Sequence, residues 1–234
     1  MEEIINELKI RKLLDGNPDL QITFTSDAFG SMPQDRILLQ RVREELNGKC
    51  FKWLAQIDLA SLNDESFLEL INSVGDVKLI IGVESPFRDG LSLEKKGIMG
   101  INPIDIFEKI KKFSNIKIRL LLMLGFDFEP ADAFEQMLSF IQHIQPDGVY
   151  ISILTPFPGT KINEQLETQK RIFERDWMYY DTRHLVFERW FKRNENQYGV
   201  MKRDEFMAGF KLLIKESESE IKKWSRFNIE SKVL

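Results

Sequence analysis

Residues 116–127 read IKIRLLLMLGFD, a nearly unbroken apolar run that ends in a glycine and an acid. Such a run is typical of a strand that is buried on both faces of a parallel sheet. Apolar residues at helical spacing follow it, at Phe134, Met137, Leu138, Ile141 and Ile144. The stretch therefore predicts one strand and helix unit of an α/β fold, with Asp127 just beyond the carboxyl end of the strand.

Similar units recur about every 30 residues on both sides of this stretch. Apolar runs with β-branched or aromatic residues predict four more strands, at residues 21–26, 51–56, 78–83 and 148–154. Helical periodicity lies between the strands, and Asn63-Asp64 and Asn102-Pro103 are typical of helix starts. Alternation of this kind, without hairpin signals, predicts about five parallel strands joined by helical crossovers, a partial TIM-like (β/α) barrel.

Both ends of the chain have a helical pattern. Residues 2–14 carry apolar side chains at helical spacing before Gly16-Asn17-Pro18, and from Lys161 onward no further strand is evident. We therefore expect a partial barrel over residues 1–160 and a helical C-terminal extension over residues 161–234, packed on the barrel.

The composition excludes several classes of protein. The 37 acidic and 33 basic residues are spread along the 234-residue chain, so we do not expect nucleic acid as a direct partner. No apolar run approaches the roughly 20 residues of a membrane span, and no leader pattern is present, so we expect no membrane partner and a cytoplasmic protein. The single cysteine, Cys50, excludes an intrachain disulfide and any site built from several thiolates of this chain.

Polar side chains follow the predicted strands. In parallel α/β folds the loops beyond the carboxyl ends of the strands line the ligand site. The candidate binding residues at these ends are Ser26, Asp27, Gln56, Glu84, Ser85, Asp127, Glu129 and Thr155. Gly82 and Gly125 precede two of the acids, where a missing side chain would let a ligand approach the backbone or would serve a turn.

Four of these acids could also have other roles. Asp27, Asp127 and Glu129 could cap or favour the starts of nearby helices. Asp27, Glu84 and Asp127 could instead hold Mg²⁺ or another divalent metal in an unrelated barrel enzyme, although no general base is evident. His143 and His184 are too isolated to form a recognisable triad or zinc site. The loop 155–160 has a structural role by default, because Pro156 and Pro158 fix its backbone and Gly159 can take the left-handed conformation before a helix.

Several motifs in order give the chain a family resemblance. They are Phe24-Thr25-Ser26-Asp27-Ala28-Phe29, Gly82-Val83-Glu84-Ser85, Lys95-Lys96-Gly97, Leu124-Gly125-Phe126-Asp127, Leu154 to Thr160, and Asp176-Trp177 with Tyr180-Asp181. As a series they resemble the C-terminal part of a radical S-adenosylmethionine domain, of the subgroup often preceded by a cobalamin-binding domain. The resemblance covers roughly residues 2–190, and Ser26 stands where the family typically has an acid.

The resemblance implies a cofactor and a set of contacts. Ser26 and Asp27 would meet the amino group of S-adenosylmethionine, Glu84 and Ser85 its ribose, and Gly125 to Glu129 its adenine, while Arg119 would contact the carboxylate. Intact members cleave S-adenosylmethionine reductively at a 4Fe-4S cluster held by three cysteines, and this chain starts just after the position of that missing cysteine loop. The resemblance therefore implies a truncated or split enzyme domain that is inactive alone.

Two readings of the chain follow. A separate chain could supply the first strand and the cluster loop, which would make this protein one half of an enzyme. Alternatively, the chain could be a non-catalytic module that binds a nucleotide or a partner, with an exposed sheet edge favouring association with another chain. The sequence does not identify the substrate or the reaction type.

Overall fold

The structure is a computed structural model that describes residues 21–46, 51–87, 103–194 and 197–224. The predicted helix at 2–14, the Lys95-Lys96-Gly97 motif, Cys50 and Asn102 lie outside the described residues. The first ten elements along the chain are β1 Gln21–Phe24, α1 Pro33–Leu46, β2 Phe51–Ile57, α2 Leu59–Leu62, α3 Glu65–Ser73, β3 Gly75–Glu84, α4 Pro103–Ile110, β4 Ile116–Leu124, α5 Ala133–Ile144 and β5 Gly148–Ile153. They are followed by α6 Lys161–Thr168, a 3₁₀ helix Trp177–Tyr179, β6 Arg189–Asn194, β7 Gln197–Met201 and α7 Arg203–Trp224.

The five predicted strands form one sheet in the order β1-β2-β3-β4-β5, and they run parallel. Sequential order with helices between neighbouring strands is the topology of part of a (β/α) barrel, so the predicted fold class is confirmed. The described residues divide into two compact units, the first containing residues 21–46, 51–83, 103–120 and 146–148 and the second containing residues 84–87, 121–145, 149–194 and 197–224.

The sheet of the first unit has one buried and one open face. Trp53 pairs with Val77, and both side chains are almost completely buried. The rings of Phe24 and Phe29 stack at 4.7 Å and meet Trp53 edge-on, which closes the core at the β1 end. Apolar residues of α1, α3 and α4 complete this core, at Leu38, Leu39, Val42, Phe67, Leu68, Ile71, Ile106, Phe107 and Ile110.

Residues that alternate with this core lie on the open face. Along β3 every second side chain is buried, and the ones between are half-buried or exposed. β4 shows the same alternation, with Lys117 half-buried and Arg119 exposed. The expectation that β4 is buried on both faces is therefore wrong, because its apolar run carries two cations on the face that the first unit leaves open.

The caps of the first unit explain where its helices begin. Asp64 is the N-cap of α3, as predicted, and accepts hydrogen bonds from the backbone N–H groups of Ser66 and Phe67. Arg36 also donates to Asp64, and this hydrogen bond is the main reason why the pKa of Asp64 is lowered to about 2. The sequence did not predict α2, a single turn that Asp58 caps by accepting from the N–H of Ser61 at 2.6 Å.

The second unit is held together by aromatic contacts between two helices. The rings of Phe134 on α5 and Phe206 on α7 lie 5.3 Å apart, edge to face. A Cβ atom at Gly209 would lie only 2.7 Å from the Phe134 ring, so α5 and α7 approach closely at this point. Met137, Ile141 and Phe210 are buried in the same unit.

The expectation that no strand follows Lys161 is wrong. β6 and β7 form an antiparallel hairpin, with Trp190 paired to Val200 and Phe191 paired to Gly199. The sequence did not predict the hairpin because the spacing of its apolar residues is ambiguous over so short a run. The chain does end in a long helix, α7, as predicted. Among the described helices, none combines the length and the apolar content needed to cross a bilayer.

Candidate functional site

Three candidate residues of the first unit are exposed. Ser26 and Asp27 lie immediately after β1, and Gln56 is the last but one residue of β2. The carbonyl of Gln56 accepts a hydrogen bond of 2.8 Å from the N–H of Phe29, which ties the loop after β1 to the end of β2. Beside this loop is a cavity of about 360 Å³, lined by Gly30, Ser31, Pro33, Arg36, Asp58, Ala60 and Ser61. The side chains therefore stand where a ligand could reach them.

The end of β3 has an unusual backbone. Glu84 adopts φ +63°, a left-handed conformation that a residue with a side chain adopts at a cost of about 1–2 kcal/mol. Ser85 follows it, is buried, and accepts from the N–H of Phe87 at 3.4 Å. Glu84 therefore changes the direction of the chain at the end of the strand. Strained residues of this kind are often found at functional sites.

Gly82 and Gly125 turn out to serve different purposes. Gly82 lies within β3, so the alternative that this glycine serves a turn is wrong. A Cβ atom placed at Gly82 would meet nothing within 4 Å. Gly125 has φ +118°, and a Cβ atom there would lie 3.2 Å from the Cβ of Leu154. Backbone conformation and packing therefore account for Gly125, whereas Gly82 opens onto empty space where a ligand could approach.

Glu129 is completely buried in the second unit. One carboxylate oxygen accepts hydrogen bonds of 2.9 Å from the N–H of Gly125 and from Nη2 of Arg189, which is also buried. The other oxygen of Glu129 and the Nε and Nη1 atoms of Arg189 have no hydrogen-bond partner. Burial raises the pKa of Glu129 to about 7, and the contacts with Arg189 and Gly125 only partly oppose that rise.

Asp127 is bound by a second arginine. Both of its oxygens accept hydrogen bonds of 2.6 Å from the guanidinium of Arg171, which also donates to the carbonyl of Glu188. The guanidinium carbon lies 4.0 Å above the Trp190 ring, so the cation is held on several sides. This bidentate pair fixes the loop after β4.

The arginine contacts decide between the alternatives for these acids. α5 begins at Ala133 with Asp132 before it, so neither Asp127 nor Glu129 caps that helix. Arg171 already binds both oxygens of Asp127, which argues against a divalent metal there. No group of three or more histidine, cysteine or acidic residues in the described ranges is arranged to hold a metal ion.

The loop after β5 is described by its backbone conformation and its hydrogen bonds. Thr155 is buried and donates to the carbonyl of Ile153 at 3.1 Å. Gly159 takes the predicted left-handed conformation, φ +83°, and Thr160 then caps α6 by accepting from the N–H of Asn163. Whether Thr155 also contacts a ligand stays a prediction.

One functional prediction and two omissions concern arginine residues. Arg119 lies near the amino end of β4 rather than at its carboxyl end, and its ligand contact stays a prediction. The sequence did not predict Arg171 and Arg189 as the partners of Asp127 and Glu129. No local signal could have found them, because 44 and 60 residues separate the members of the two pairs.

Comparison with known proteins gives methyltransferases as relatives. No protein-family model matches the chain. The chain is 26% identical over 185 residues to the bacteriochlorophyllide d C-12(1)-methyltransferase of Chlorobaculum tepidum, covering 79% of this chain and 40% of that protein. An uncharacterized methyltransferase of Pyrococcus horikoshii is 25% identical over 182 residues, covering 78% of this chain and 39% of that protein. A probable threonylcarbamoyladenosine tRNA methylthiotransferase of Pyrococcus abyssi is 32% identical over 98 residues, covering 39% of this chain and 23% of that protein.

These similarities support relationship to a radical S-adenosylmethionine family, at low identity. The chain spans about two fifths of the length of the two methyltransferases, 40% and 39%.

Proposed function

We propose that this chain is the S-adenosylmethionine-binding portion of a radical S-adenosylmethionine methyltransferase, of the subgroup associated with cobalamin. The proposal of methyl transfer rests on the two methyltransferases that align with more than three quarters of the chain. The observation that carries the binding proposal is the end of β3, where Glu84 is held in a left-handed conformation between the open position of Gly82 and the buried Ser85.

The contacts with the cofactor follow from the chemistry of each strand end. The carboxylate of Glu84 accepts hydrogen bonds from ribose hydroxyls, and Asp27 with Ser26 accepts from the ammonium of the methionyl group. Gln56 and Thr155 supply polar contacts at two further strand ends. Asp127 and Glu129, which Arg171 and Arg189 already hold, shape the loop after β4 so that its backbone can meet the adenine.

The donor set of this chain does not fit a 4Fe-4S cluster. Such a cluster needs cysteine thiolates as ligands, and in this family three of them hold it, whereas the sequence contains one cysteine. We therefore propose that the cluster thiolates lie outside these 234 residues, on a separate chain or segment, and that this chain alone does not cleave S-adenosylmethionine. When bound elsewhere, the cluster would supply the electron for reductive cleavage.

Binding of S-adenosylmethionine to the purified full chain tests the proposal. Isothermal titration calorimetry should give saturable one-to-one binding, and Glu84→Gln should weaken it by about tenfold or more because a charge-assisted hydrogen bond is lost. Glu135→Gln is the matched control, since Glu135 is exposed in the first turn of α5 in the same unit. Absence of binding by the wild type, or equal loss in both variants, would refute the proposal.

Anaerobic reconstitution with iron and sulfide tests the statement about the cluster. The single cysteine, Cys50, should give no absorbance near 400 nm and no stoichiometric iron, since one thiolate cannot hold four irons. A four-iron cluster bound by the chain alone would overturn that statement while leaving the binding proposal to be judged by calorimetry.

A second candidate function, a partner-binding module, is favoured by the position of β1. β1 is the edge strand of the described five-stranded sheet and contains four residues. Edge strands offer backbone N–H and C=O groups to another strand, so a partner could add its own strand beside β1. Thr23→Pro would remove one N–H group from β1, and an unchanged association with a candidate partner would exclude this mode of binding.

A further inference from the structure

The segment 181–184 lies against the outer edge of β5 in the second unit. β5 is the last strand of the described sheet, and the N–H of Ile153 donates to the carbonyl of Thr182 at 2.8 Å. Nη1 of Arg183 donates to the carbonyl of Ile151, on the same edge of the strand, at 3.4 Å. These two contacts hold the segment beside β5.

The backbone of this segment is strained. Thr182 adopts φ +64°, which is a genuine outlier for a β-branched residue. The carboxylate of Asp181 holds the turn, since it accepts from the N–H groups of Arg183 and His184 and lies 3.0 Å from Nδ1 of His184. The surrounding contacts therefore keep Thr182 in a conformation that it disfavours, and such strain clusters at functional sites.

The guanidinium of Arg183 lies over the ring of Tyr150. Its central carbon is 4.5 Å from the ring centroid, a distance typical of a cation–π contact. Tyr150 is 41% exposed, and alternation along β5 places it on the face opposite to the buried Ile151 and Ile153. The hydroxyl of Tyr150 is 3.4 Å from Oγ1 of Thr182. A cation and two hydroxyl groups therefore lie together at the edge of this face.

One side of the Arg183 guanidinium is free. Among the described residues, only Nη1 has a hydrogen-bond partner, and no carboxylate forms a salt bridge with this arginine. Nε and Nη2 are not buried, so a ligand can reach them. Together these two atoms form the side of the guanidinium that donates two parallel hydrogen bonds to a carboxylate. Arg175 differs, because both of its Nη atoms already donate to Glu167.

The charge around the free side of Arg183 matches a ligand with a single negative charge. Arg183 supplies one cation without a carboxylate partner, whereas the acid of the same segment, Asp181, is already bound by His184 and by two backbone N–H groups. A doubly charged phosphate would leave one negative charge uncompensated beside that carboxylate. The geometry and the charge therefore favour a carboxylate.

We propose that the Nε and Nη2 atoms of Arg183 bind a carboxylate group of the substrate that accepts the methyl group. Tyr150 is a positioning residue, because it acts by holding the guanidinium. The inference rests on the proposed function and extends it by naming the chemical class of the substrate, a carboxylate-bearing molecule. The contacts proposed above for S-adenosylmethionine involve none of the residues of the segment 181–184.

Titration of the full chain with benzoate, followed by NMR of the arginine Nε–H groups, tests the site. Benzoate should shift the resonance that the variant Arg183→Gln lacks, and the shift should saturate. Benzamide, which has nearly the same shape and no charge, should not bind. In saturation-transfer NMR of the ligand, Arg183→Gln should weaken benzoate binding by about tenfold or more. Arg183→Lys should also weaken it, because lysine keeps the charge but not the fork of donors.

Two further variants complete the experiment. Arg175→Gln is the matched control, since Arg175 is an exposed arginine of the same unit that Glu167 already binds, and it should bind benzoate like the wild type. Tyr150→Leu should weaken benzoate binding while the circular dichroism spectrum stays unchanged. The proposal is wrong if benzoate gives no saturable shift at Arg183, if benzamide binds as tightly, or if Arg175→Gln has the same effect as Arg183→Gln. Inorganic phosphate that binds there more tightly than benzoate would contradict the assignment to a carboxylate.

A parallel titration with S-adenosylmethionine separates this inference from the proposed function. Arg183→Gln should bind S-adenosylmethionine like the wild type, and S-adenosylmethionine should not displace benzoate. If it displaces benzoate and its decarboxylated form does not, Arg183 binds the cofactor's own carboxylate and the inference is wrong. If the wild type binds benzoate but not S-adenosylmethionine, the proposed function fails, and with it the identification of the ligand as the methyl acceptor, whereas the carboxylate site is established.

Discussion

The buried pair of Glu129 and Arg189 should make the stability of the chain depend on pH. The direction of that dependence shows whether burial or attraction to Arg189 dominates the pKa of Glu129. Burial raises the pKa of Glu129 from about 4.5 to about 7 in the folded chain. The folded state then binds the proton more tightly than the unfolded state, so this residue's contribution to stability is fully present below about pH 4.5. It is lost as the pH rises toward about 7.

The size of the effect follows from the shift. A shift of one pKa unit corresponds to 1.36 kcal/mol, so a rise from 4.5 to about 7 changes the free energy of unfolding by about 3 kcal/mol. In Glu129→Gln the side chain keeps nearly the same shape and an oxygen that can accept from Gly125, but it cannot ionise. The wild type should therefore lose about 3 kcal/mol relative to Glu129→Gln between about pH 4.5 and about pH 8.

The measurement is urea denaturation of both proteins across this pH range, monitored by tryptophan fluorescence and circular dichroism. The difference between the two free energies of unfolding is the quantity to plot, because it cancels the titration of all other groups. A difference that stays constant with pH would mean that Glu129 has an ordinary pKa. If the free energy of unfolding of the wild type increases relative to that of Glu129→Gln as the pH rises, attraction to Arg189 outweighs burial and the reasoning is refuted.

Three further predictions concern stability. Gly30→Ala should destabilise the chain by about 2 kcal/mol or more in urea denaturation, because Gly30 has φ +89° and a Cβ atom there would overlap an aromatic ring. Arg171→Met should cost about 3 kcal/mol in the same assay, since it leaves a bidentate carboxylate without its partner, whereas Arg175→Met at an exposed pair should change little. Asp64→Ala should cost about 1 kcal/mol through the lost cap. Because the hydrogen bond from Arg36 lowers the pKa of Asp64 to about 2, its contribution should persist above about pH 4 and fall below it, so a cost that is unchanged at acid pH would contradict the cap assignment.

The parts of the fold that depend on near neighbours in the chain were predictable from the sequence. The alternation of apolar runs and helical spacing predicted all five parallel strands, and Asp64 was recognised as a helix cap because a cap acts within one turn. The left-handed Gly159 before α6 was predicted for the same reason. Each of these signals lies within a few residues of the structure that it produces.

The pairing of the charged side chains depends on the tertiary structure. The partners of Asp127 and Glu129 are arginines 44 and 60 residues away. The hairpin of β6 and β7 is defined by the pairing of its two strands, which the pattern of each strand alone did not predict. The lysines at 78 and 117 share a face because of the register between β3 and β4, which no pattern within either strand specifies. Local preferences determine the helices and strands, whereas long-range pairing depends on how the whole chain packs, and that pairing joins Asp127 and Glu129 to their arginines.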